Sequence, residues 1–468
     1  MYLSENKTLR LLTLCGLYVA QGIPWGFVTI TFAAWLAQPE NGLSTEQIGP
    51  MLAVASLPWS FKFVWGPLMD RFTIPSLGRR RPWIIFAQTM AILSLGSMLL
   101  FDDLPSLAWQ AQPEADWLTK TMYAIIPGPL AAMILVANVF VSIQDVAVDA
   151  LAVDLLDEQE RGVANGLMYG SSYLGTAIGG AGLGFLVANY GIRAGIAGQV
   201  LLLFLIMLLP IFLRERRSTR TQSSPHAAAP HKLETQHQNP FAAPAAESPQ
   251  QQRESEPHTS FAIVFKDLLT AFRLPSAMIG VLVALSVKIG IGALTAVFVT
   301  YLLQDGGWTM KEYTTVTGLY AVLLGLSGAA LGGFAADRLG AKPLIVTTSV
   351  LLGVLWIGFG IFPTAFTSRT MVTALLLGQE FALAVMAVAL FSLFMSISWP
   401  KVGATQFTTY MALMNFSTTI GSYAAGQLSQ SFSIYQILML AGLLQSILVI
   451  PVLFIDPQQT RRTLGSGV

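Results

Sequence analysis

The sequence has little charge and almost no cysteine. Of its 468 residues only 11% are charged, whereas 54% are hydrophobic, and the mean hydropathy is +0.61. A soluble globular chain carries about 25% charged residues. The composition therefore excludes a soluble protein and indicates a membrane protein with several spans. The single cysteine, Cys15, excludes an internal disulfide.

Signatures of catalysis, signalling and nucleic-acid binding are also missing. The net charge is +1 and no basic groove is interleaved with aromatics, which excludes polyanion binding. No nucleotide-binding loop and no His-Glu-x-x-His, Gly-x-Ser-x-Gly or paired-cysteine motif occurs. We therefore expect neither an enzyme nor a sensor, and no cofactor, metal or nucleic-acid partner.

All four histidines lie in one polar segment, residues 214–260. Pro, Ala, Gln, Ser and His dominate this segment and no apolar period survives, which predicts a disordered linker. The histidine spacing matches no metal-ligand motif, so we interpret the segment as solvated. It divides the chain into two predicted domains, residues 1–213 and 261–468.

Twelve apolar runs are long enough to cross a membrane, because a hydrocarbon core of about 30 Å needs about 20 helical residues. Six precede the linker and six follow it, which predicts an all-α membrane protein with two six-helix bundles. The first run is too long for a signal peptide. The predicted spans are 9–37, 46–69, 82–101, 129–156, 163–188, 194–213, 276–304, 313–336, 343–362, 370–398, 403–430 and 433–455.

Lysine and arginine fall mostly on one side of these predicted helices. The other side carries only Lys120, Arg193, Lys311 and Arg369. Positive residues mark cytoplasmic loops, so both termini and the linker are predicted to be cytoplasmic.

Two carboxylates interrupt the fourth predicted helix. Asp145 and Asp149 stand four residues apart and therefore share one helix face, which Asn138 and Ser142 extend. A charged side chain at the centre of a spanning helix costs about 2.5–3.5 kcal/mol on insertion scales, so such groups usually face protein or water. We interpret this polar stripe as the wall of a cavity.

Lys62, Lys288 and Glu380 also lie well inside predicted spans. Two bases against three acids leave one carboxylate without a basic partner, so we predict that Asp145 or Asp149 carries a coupling proton. The alternative is that Asp149 and Lys62 form a buried ion pair between the second and fourth helices. Lys288 and Glu380 both fall near the midplane of the membrane, and this similar depth suggests that they pair.

Polar and aromatic residues recur at helical spacing on the first, fifth and eleventh predicted helices. Together with Lys288, Glu380 and Gln144, the residue before Asp145, they are the predicted solute contacts, although such residues also serve plain helix packing. The predicted contacts are Gln21, Trp25, Gln144, Asn165, Tyr169, Lys288, Glu380 and Asn415.

A short motif recurs at the equivalent loop of each half. Gly66 precedes Asp70-Arg71 as Gly333 precedes Asp337-Arg338, which indicates a sequence duplication. Glycine there would let helices approach closely, and the aspartate would cap a helix or pair with an arginine. The run Arg79-Arg80-Arg81 is either an anchor at the lipid headgroups or part of a loop-to-bundle ion pair with Asp70.

This arrangement resembles the major facilitator superfamily over nearly the whole chain. Within that superfamily the details are similar to the AmpG-type muropeptide permeases and the related acetyl-coenzyme A transporters. The likeness is carried by Gln21-Gly22-Ile23-Pro24, Leu57–Pro67, Gly78–Arg81 with Trp83, Gln144-Asp145 with Asp149, Lys288-Ile289-Gly290 and Gly403–Phe407.

The resemblance implies a monomeric secondary transporter of the inner membrane that imports a bulky polar solute, such as a muropeptide, together with protons. Its halves would rock around a central site within the lipid bilayer. The alternative is an efflux or exchange carrier of the same fold for a drug or another organic anion, such as an acyl-coenzyme A or a siderophore. In either case the two repeated loops and the arginine run are the expected conformational elements.

Overall fold

The computed structural model describes residues 2–72, 78–108, 126–156, 158–215 and 261–465, and nearly all of them are helical. Ten helices within these ranges are long and apolar enough to span a membrane. Two more, α2 and α11, lie at the remaining predicted spans. The helices are α1 Lys7–Ala37, α2 Thr45–Ser60, α3 Arg81–Leu100, α4 Pro129–Leu155, α5 Ala164–Tyr190, α6 Ile192–Phe212, α7 Pro275–Gln304, α8 Met310–Leu339, α9 Ala341–Ile361, α10 Arg369–Ile397, α11 Gly403–Leu428 and α12 Ile434–Leu453.

Two of the predicted spans are interrupted. α2 ends at Ser60 and is continued by a 3₁₀ turn, Lys62–Val64, and a short helix, Trp65–Arg71. Pro58 lies in the last turn of α2 and removes a backbone donor there. α7 is broken at Lys288, whose backbone N–H donates to Oγ of Ser417 at 2.8 Å. Broken helices of this kind often form the central sites of transporters.

The two halves repeat one packing pattern. α1 packs on α5 as α7 packs on α11, and both contacts need glycine. A Cβ added at Gly22 would lie 2.1 Å from the backbone oxygen of Ser172, and one added at Gly421 would lie 2.1 Å from that of Ile289. Close backbone approach of this kind drives helix association in lipid. Of the predicted linker, residues 214–260, all but Arg214 and Glu215 lie outside the described residues.

The halves meet at the end of the molecule opposite to the chain termini. Nε2 of Gln304 donates to the backbone oxygens of Ala37 at 3.1 Å and Leu43 at 2.9 Å, which joins α7 to the end of α1. Nε2 of Gln430 donates to Glu46 at 2.9 Å. We call this set of contacts the clasp: Ala37, Leu43, Thr45, Glu46, Thr300, Gln304 and Gln430.

Three π-helical segments pack against one another below the clasp: Phe27–Phe32 in α1, Ile178–Gly182 in α5 and Val316–Tyr320 in α8. The hydroxyl of Thr31 lies 2.6 Å from the backbone oxygen of Gly180. A Cβ added at Gly318 would lie 2.5 Å from the backbone nitrogen of Ala181. The halves are therefore in direct backbone contact here, and π-bulges frequently mark functional sites.

Towards the termini the halves separate. Nδ2 of Asn415 donates to the backbone oxygen of Trp59 at 3.5 Å, near the middle of the molecule. Nearer the termini, no hydrogen bond or ion pair between described residues joins the halves. Tyr169 of α5, which lies on this side, is 53% exposed. The two halves thus enclose a cleft that is closed at the clasp and open on the side of the termini.

Candidate functional site

An ion pair joins two helices inside the amino-terminal half. Nζ of Lys62 lies 3.1 Å from Oδ2 of Asp145, a residue that is 6% exposed. The break after α2 places Lys62 beside α4. One turn further along, Nε1 of Trp65 donates to Oγ of Ser142 at 3.0 Å. The polar stripe predicted on α4 is therefore bound to the segment that follows α2.

Asp149 has a different partner. The hydroxyl of Tyr18 on α1 donates a hydrogen bond to Oδ1 of Asp149, and no lysine or arginine among the described side chains lies within ion-pair distance of this carboxylate. The predicted alternative, an ion pair between Lys62 and Asp149, is therefore wrong, because Lys62 pairs with Asp145. Asp149 is the carboxylate left without a paired cation.

Tyr169 connects this cluster to the open cleft. The residue lies close enough to Lys62, Asp145 and Asp149 to interact electrostatically with all three, and it is half exposed. Asn165, one turn nearer the termini on the same helix, is exposed as well. We call Tyr18, Lys62, Asp145, Asp149 and Tyr169 the charged cluster.

Lys288 and Glu380 face each other less closely than predicted. The two groups interact electrostatically, but the nitrogen and oxygen atoms of these two described side chains are more than 4.0 Å apart. Glu380 and Tyr173 both reach Gly325 of α8, each 3.3 Å from the position of an added Cβ. Tyr173 also interacts with Tyr169, so it lies between the charged cluster and the carboxyl-terminal half.

Tyr173 was not predicted, although its spacing from Tyr169 offered a signal. The two tyrosines are four residues apart on α5 and thus share one face. The same spacing would also fit an ordinary packing stripe, and no residue in the sequence shows that Glu380 lies opposite.

Gln144 lies away from the charged cluster. Its amide donates to Oε1 of Gln88 at 3.1 Å, and Gln88 donates to the backbone oxygen of Leu203 at 2.7 Å. These bonds tie α4 to α3 and α6 inside the amino-terminal half. Gln144 is 1% exposed, so this geometry gives it a packing role rather than the predicted contact with solute.

Trp25 and Asn415 both contact Trp59 near the closed end of the cleft, and Gln21 lies one turn before Trp25 on α1. The rings of Trp25 and Trp59 pack edge to face with their centres 6.4 Å apart, and Asn415 bonds the backbone of Trp59. Gln21 is 4% exposed, and its amide nitrogen has no partner among the described residues. The indole nitrogen of Trp59 likewise has none. Two buried hydrogen-bond donors near Trp59 therefore have no acceptor among the described residues.

The repeated loop motif does not bring helices together at its glycines. A Cβ added at Gly66 would meet no atom within 4 Å, and one at Gly333 would lie 3.9 Å from Val388. The tight contact falls on Gly332, 2.9 Å from Cα of Val385. The prediction that Gly66 and Gly333 let two helices approach closely is therefore wrong.

Three charged residues of the motif, Arg71, Asp337 and Arg338, lie at the surface. Asp337 and Arg338 are exposed, and the guanidinium of Arg338 lies 4.0 Å from the ring centre of Phe334. The guanidinium of Arg71 lies 5.9 Å from that of Phe72. The side chain of Asp70 lies outside the described residues.

The arginine run connects its loop to the bundle through Glu215 and Asp154. The backbone N–H groups of Arg79, Arg80 and Arg81 all donate to the carboxylate of Glu215. The side chain of Arg80 pairs with Asp154 at 3.1 Å. Within the described residues these contacts join the loop to the bundle, and the predicted pair with Asp70 lies outside those residues.

Comparison with known proteins decides the family. The model of a family described as Major Facilitator Superfamily matches residues 14–401. This chain belongs to the Major Facilitator Superfamily. It is therefore a multi-pass membrane transporter and not an enzyme.

Among its relatives, the anhydromuropeptide permease of Escherichia coli (strain K12) is 28% identical over 170 residues, which cover 36% of this chain and 30% of the permease. The match thus spans less than a third of that permease. A Rickettsia conorii protein that carries the name transporter AmpG 4 is 24% identical over 428 residues, 90% of each chain. The chain is similar to AmpG-type permeases of the superfamily.

Solved structures agree on the fold. The D-xylose-proton symporter superposes with a TM-score of 0.66 at 13% identity and covers 97% of this chain and 98% of its own. A nucleoside transporter superposes with a TM-score of 0.65 at 12% identity, with 95% and 99% covered. At such identities the likeness concerns the fold alone.

Proposed function

We propose that this member of the superfamily is a proton-coupled importer of a bulky polar solute, working as a monomer in the inner membrane with both termini in the cytoplasm. The observation that carries the proposal is the unequal pairing of two neighbouring acids. Asp145 pairs with an ammonium group, whereas among the described side chains Asp149 is bonded only by the phenol of Tyr18. Asp149 is therefore the residue proposed to bind the coupling proton.

The chemistry follows from the cost of burying charge. An ionised carboxylate in a medium of low dielectric is stable only when a cation or several hydrogen bonds compensate it. Lys62 compensates Asp145, so protonating Asp145 would leave an ammonium without its partner. Protonating Asp149 breaks no ion pair, and the hydroxyl of Tyr18 can still bond the neutral acid. Proton binding is thus easier at Asp149.

An alternating-access carrier opens to each side in turn, so the direction of import is proposed from the likeness to the permease of Escherichia coli. With cytoplasmic termini, the structure is the inward-facing state, in which Asp149 can release its proton to the cytoplasm through the cleft beside Tyr169. Opening of the clasp and the π-helical contact would then expose the site to the opposite side. Rigid-body rocking of two halves around a central site is the general mechanism of such carriers.

The proposed solute site extends from the charged cluster to the leftover donors around Trp59. Trp25 and Trp59 offer flat apolar surfaces for sugar rings, and Gln21 and Asn415 offer amides. Lys288 and Glu380 supply one charge of each sign from the carboxyl-terminal half, while Asn165 and Tyr169 lie at the entrance. A muropeptide, which combines sugars with charged peptide groups, is the proposed solute, in agreement with the printed name of the Escherichia coli relative.

Uptake into proteoliposomes tests this proposal. The purified chain would be given a radiolabelled anhydromuropeptide, an acyl-coenzyme A or a siderophore, each with and without a pH gradient. We expect accumulation of the anhydromuropeptide only when the side corresponding to the clasp is acidic. Accumulation of an acyl-coenzyme A or a siderophore instead would contradict the proposed solute. Uptake that is the same with and without the pH gradient would contradict the proposed proton coupling.

A further inference from the structure

A cavity of about 320 Å³ opens at the clasp, on the opposite side of the molecule from the charged cluster. Its walls come from both halves: Ser44, Thr45 and Glu46 belong to the start of α2, and the other lining residues belong to α7, α12 and the loop between α11 and α12. Ligand sites typically have volumes of about 300–1,000 Å³. The cavity is thus large enough for a small molecule.

The charge of the lining has one sign. Glu46 and Asp305 contribute carboxylates, and the lining contains no lysine, arginine or histidine. Glu46 has no arginine or lysine within ion-pair distance among the described residues, and the same holds for Asp305. A ligand of this cavity would therefore be a cation.

The amides of the lining use most of their N–H groups within the clasp. Both N–H groups of Gln304 are used, since its nitrogen bonds the backbone oxygens of Ala37 and Leu43. The nitrogen of Gln430 bonds Glu46. Their carbonyl oxygens remain as acceptors beside the two carboxylates. An amide carries two N–H donors and one oxygen acceptor, so the clasp uses three of the four amide N–H groups, and no described residue donates to either amide oxygen.

An acceptor-rich anionic cavity suits a primary ammonium group, which carries three N–H donors and a positive charge. A metal ion fits less well, because no group of three or more His, Cys, Asp or Glu side chains in the described part of the chain could hold one. One oxygen of Glu46 is already occupied by Gln430.

We propose that this cavity is a binding site for aliphatic primary amines that selects the state in which the clasp is closed. Because both halves line the cavity, it exists only while Thr45 meets Thr300 and Gln304 meets the end of α1. A ligand that binds one state shifts the population towards that state by its difference in affinity. A bound amine therefore stabilises the state that is open towards the termini and slows the change to the state that is open at the clasp. This effect does not depend on which solute is transported.

Spin labels across the clasp end test this inference on the full chain. Cys15→Ser removes the native thiol, and Tyr190→Cys with Thr364→Cys places one label on each half near the clasp. Distances between the labels would be measured in nanodiscs at constant ionic strength, with spermidine as the probe. Tetramethylammonium, which has the charge but no N–H donor, is the matched control ligand.

We expect spermidine to deplete the long-distance, clasp-open population. Glu46→Gln with Asp305→Asn should raise the half-saturating spermidine concentration at least tenfold, whereas Asp102→Asn, a carboxylate at the same end outside the cavity, should leave it unchanged. An unchanged distance distribution, an equal response to tetramethylammonium, or an equal response of the Glu46/Asp305 double variant would overturn the proposal. None of these readouts depends on proton coupling or on the transported solute.

Discussion

Lys62 lies 3.1 Å from Asp145 and forms its ion pair there, one helical turn away from the carboxylate of Asp149. Removing one member of a buried pair costs about 3–5 kcal/mol, whereas replacing both members by apolar residues is often neutral. We expect Lys62→Met to be clearly less stable than wild type and Lys62→Met with Asp145→Leu to recover most of the loss. Thermal unfolding in detergent measures both. Equal losses in the single and double variants would argue against the pair.

The backbone contact between Gly180 and Gly318 should control the closed end. A Cβ at Gly318 would lie 2.5 Å from the backbone of Ala181, so Gly318→Ala cannot keep the present approach of α5 to α8. We expect it to favour the state that is open at the clasp. Cysteine labelling at position 45 would detect this as a severalfold faster reaction.

Gly166→Ala on α5 is the matched control, because an added Cβ there meets no atom within 4 Å. Alanine in a helix interior is favoured over glycine by about 1 kcal/mol. The control should therefore leave labelling unchanged and stability equal or higher. If both alanine variants label alike, the contact does not hold the clasp end closed.

Lys288 and Glu380 are predicted to serve the solute rather than the fold. These two side chains interact without direct contact, so Lys288→Met should lower the unfolding temperature much less than Lys62→Met does. We expect the same variant to raise the KM for solute uptake at least tenfold. A large loss of stability with an unchanged KM would instead assign Lys288 a structural role.

The start of α1 and the residues just before α5 should be joined by a pH-dependent ion pair. A hydrogen bond from Lys7 and a second from Arg10, at 3.1 and 2.6 Å, hold the pKa of Glu160 below its ordinary value. An acid with a lowered pKa adds stability above its unfolded pKa of about 4.3 and loses it as the pH falls through the folded value.

Wild type should therefore unfold at a higher temperature than Glu160→Gln at pH 6–7, with a difference that shrinks below about pH 4.3. Thermal scans across that range provide the comparison. A difference that is constant down to the lowest pH would show that the ionised carboxylate is not the cause.

The sequence was sufficient for the overall architecture because a spanning helix leaves a long apolar run. Charged residues within such runs also stand out, so Lys62, Asp145, Asp149, Lys288 and Glu380 could be named before any coordinates. The ion-pair and hydrogen-bond partners of these residues could not be predicted from the sequence. Depth along a helix is readable from residue counts, but rotation about the helix axis and the break after Ser60 decide that Lys62 reaches Asp145.

Local contacts were less predictable for a related reason. A repeated glycine such as Gly66 or Gly333 marks a shared loop, yet the close approach falls on neighbouring Gly332, because which glycine faces the partner helix depends on tertiary packing. Gln144 likewise resembled a cavity residue by sequence position. Its hydrogen bond to Gln88 arises because its helix face turns towards α3.

The account rests on Asp149 as the proton-binding group, and one comparison tests this most directly. Solute exchange across a membrane requires only that the loaded carrier reorients, whereas accumulation driven by a pH gradient also requires proton binding and release. Both would be measured in proteoliposomes for Asp149→Asn and for wild type. We predict that Asp149→Asn keeps exchange and loses gradient-driven accumulation. Accumulation at the wild-type level by Asp149→Asn would contradict the account.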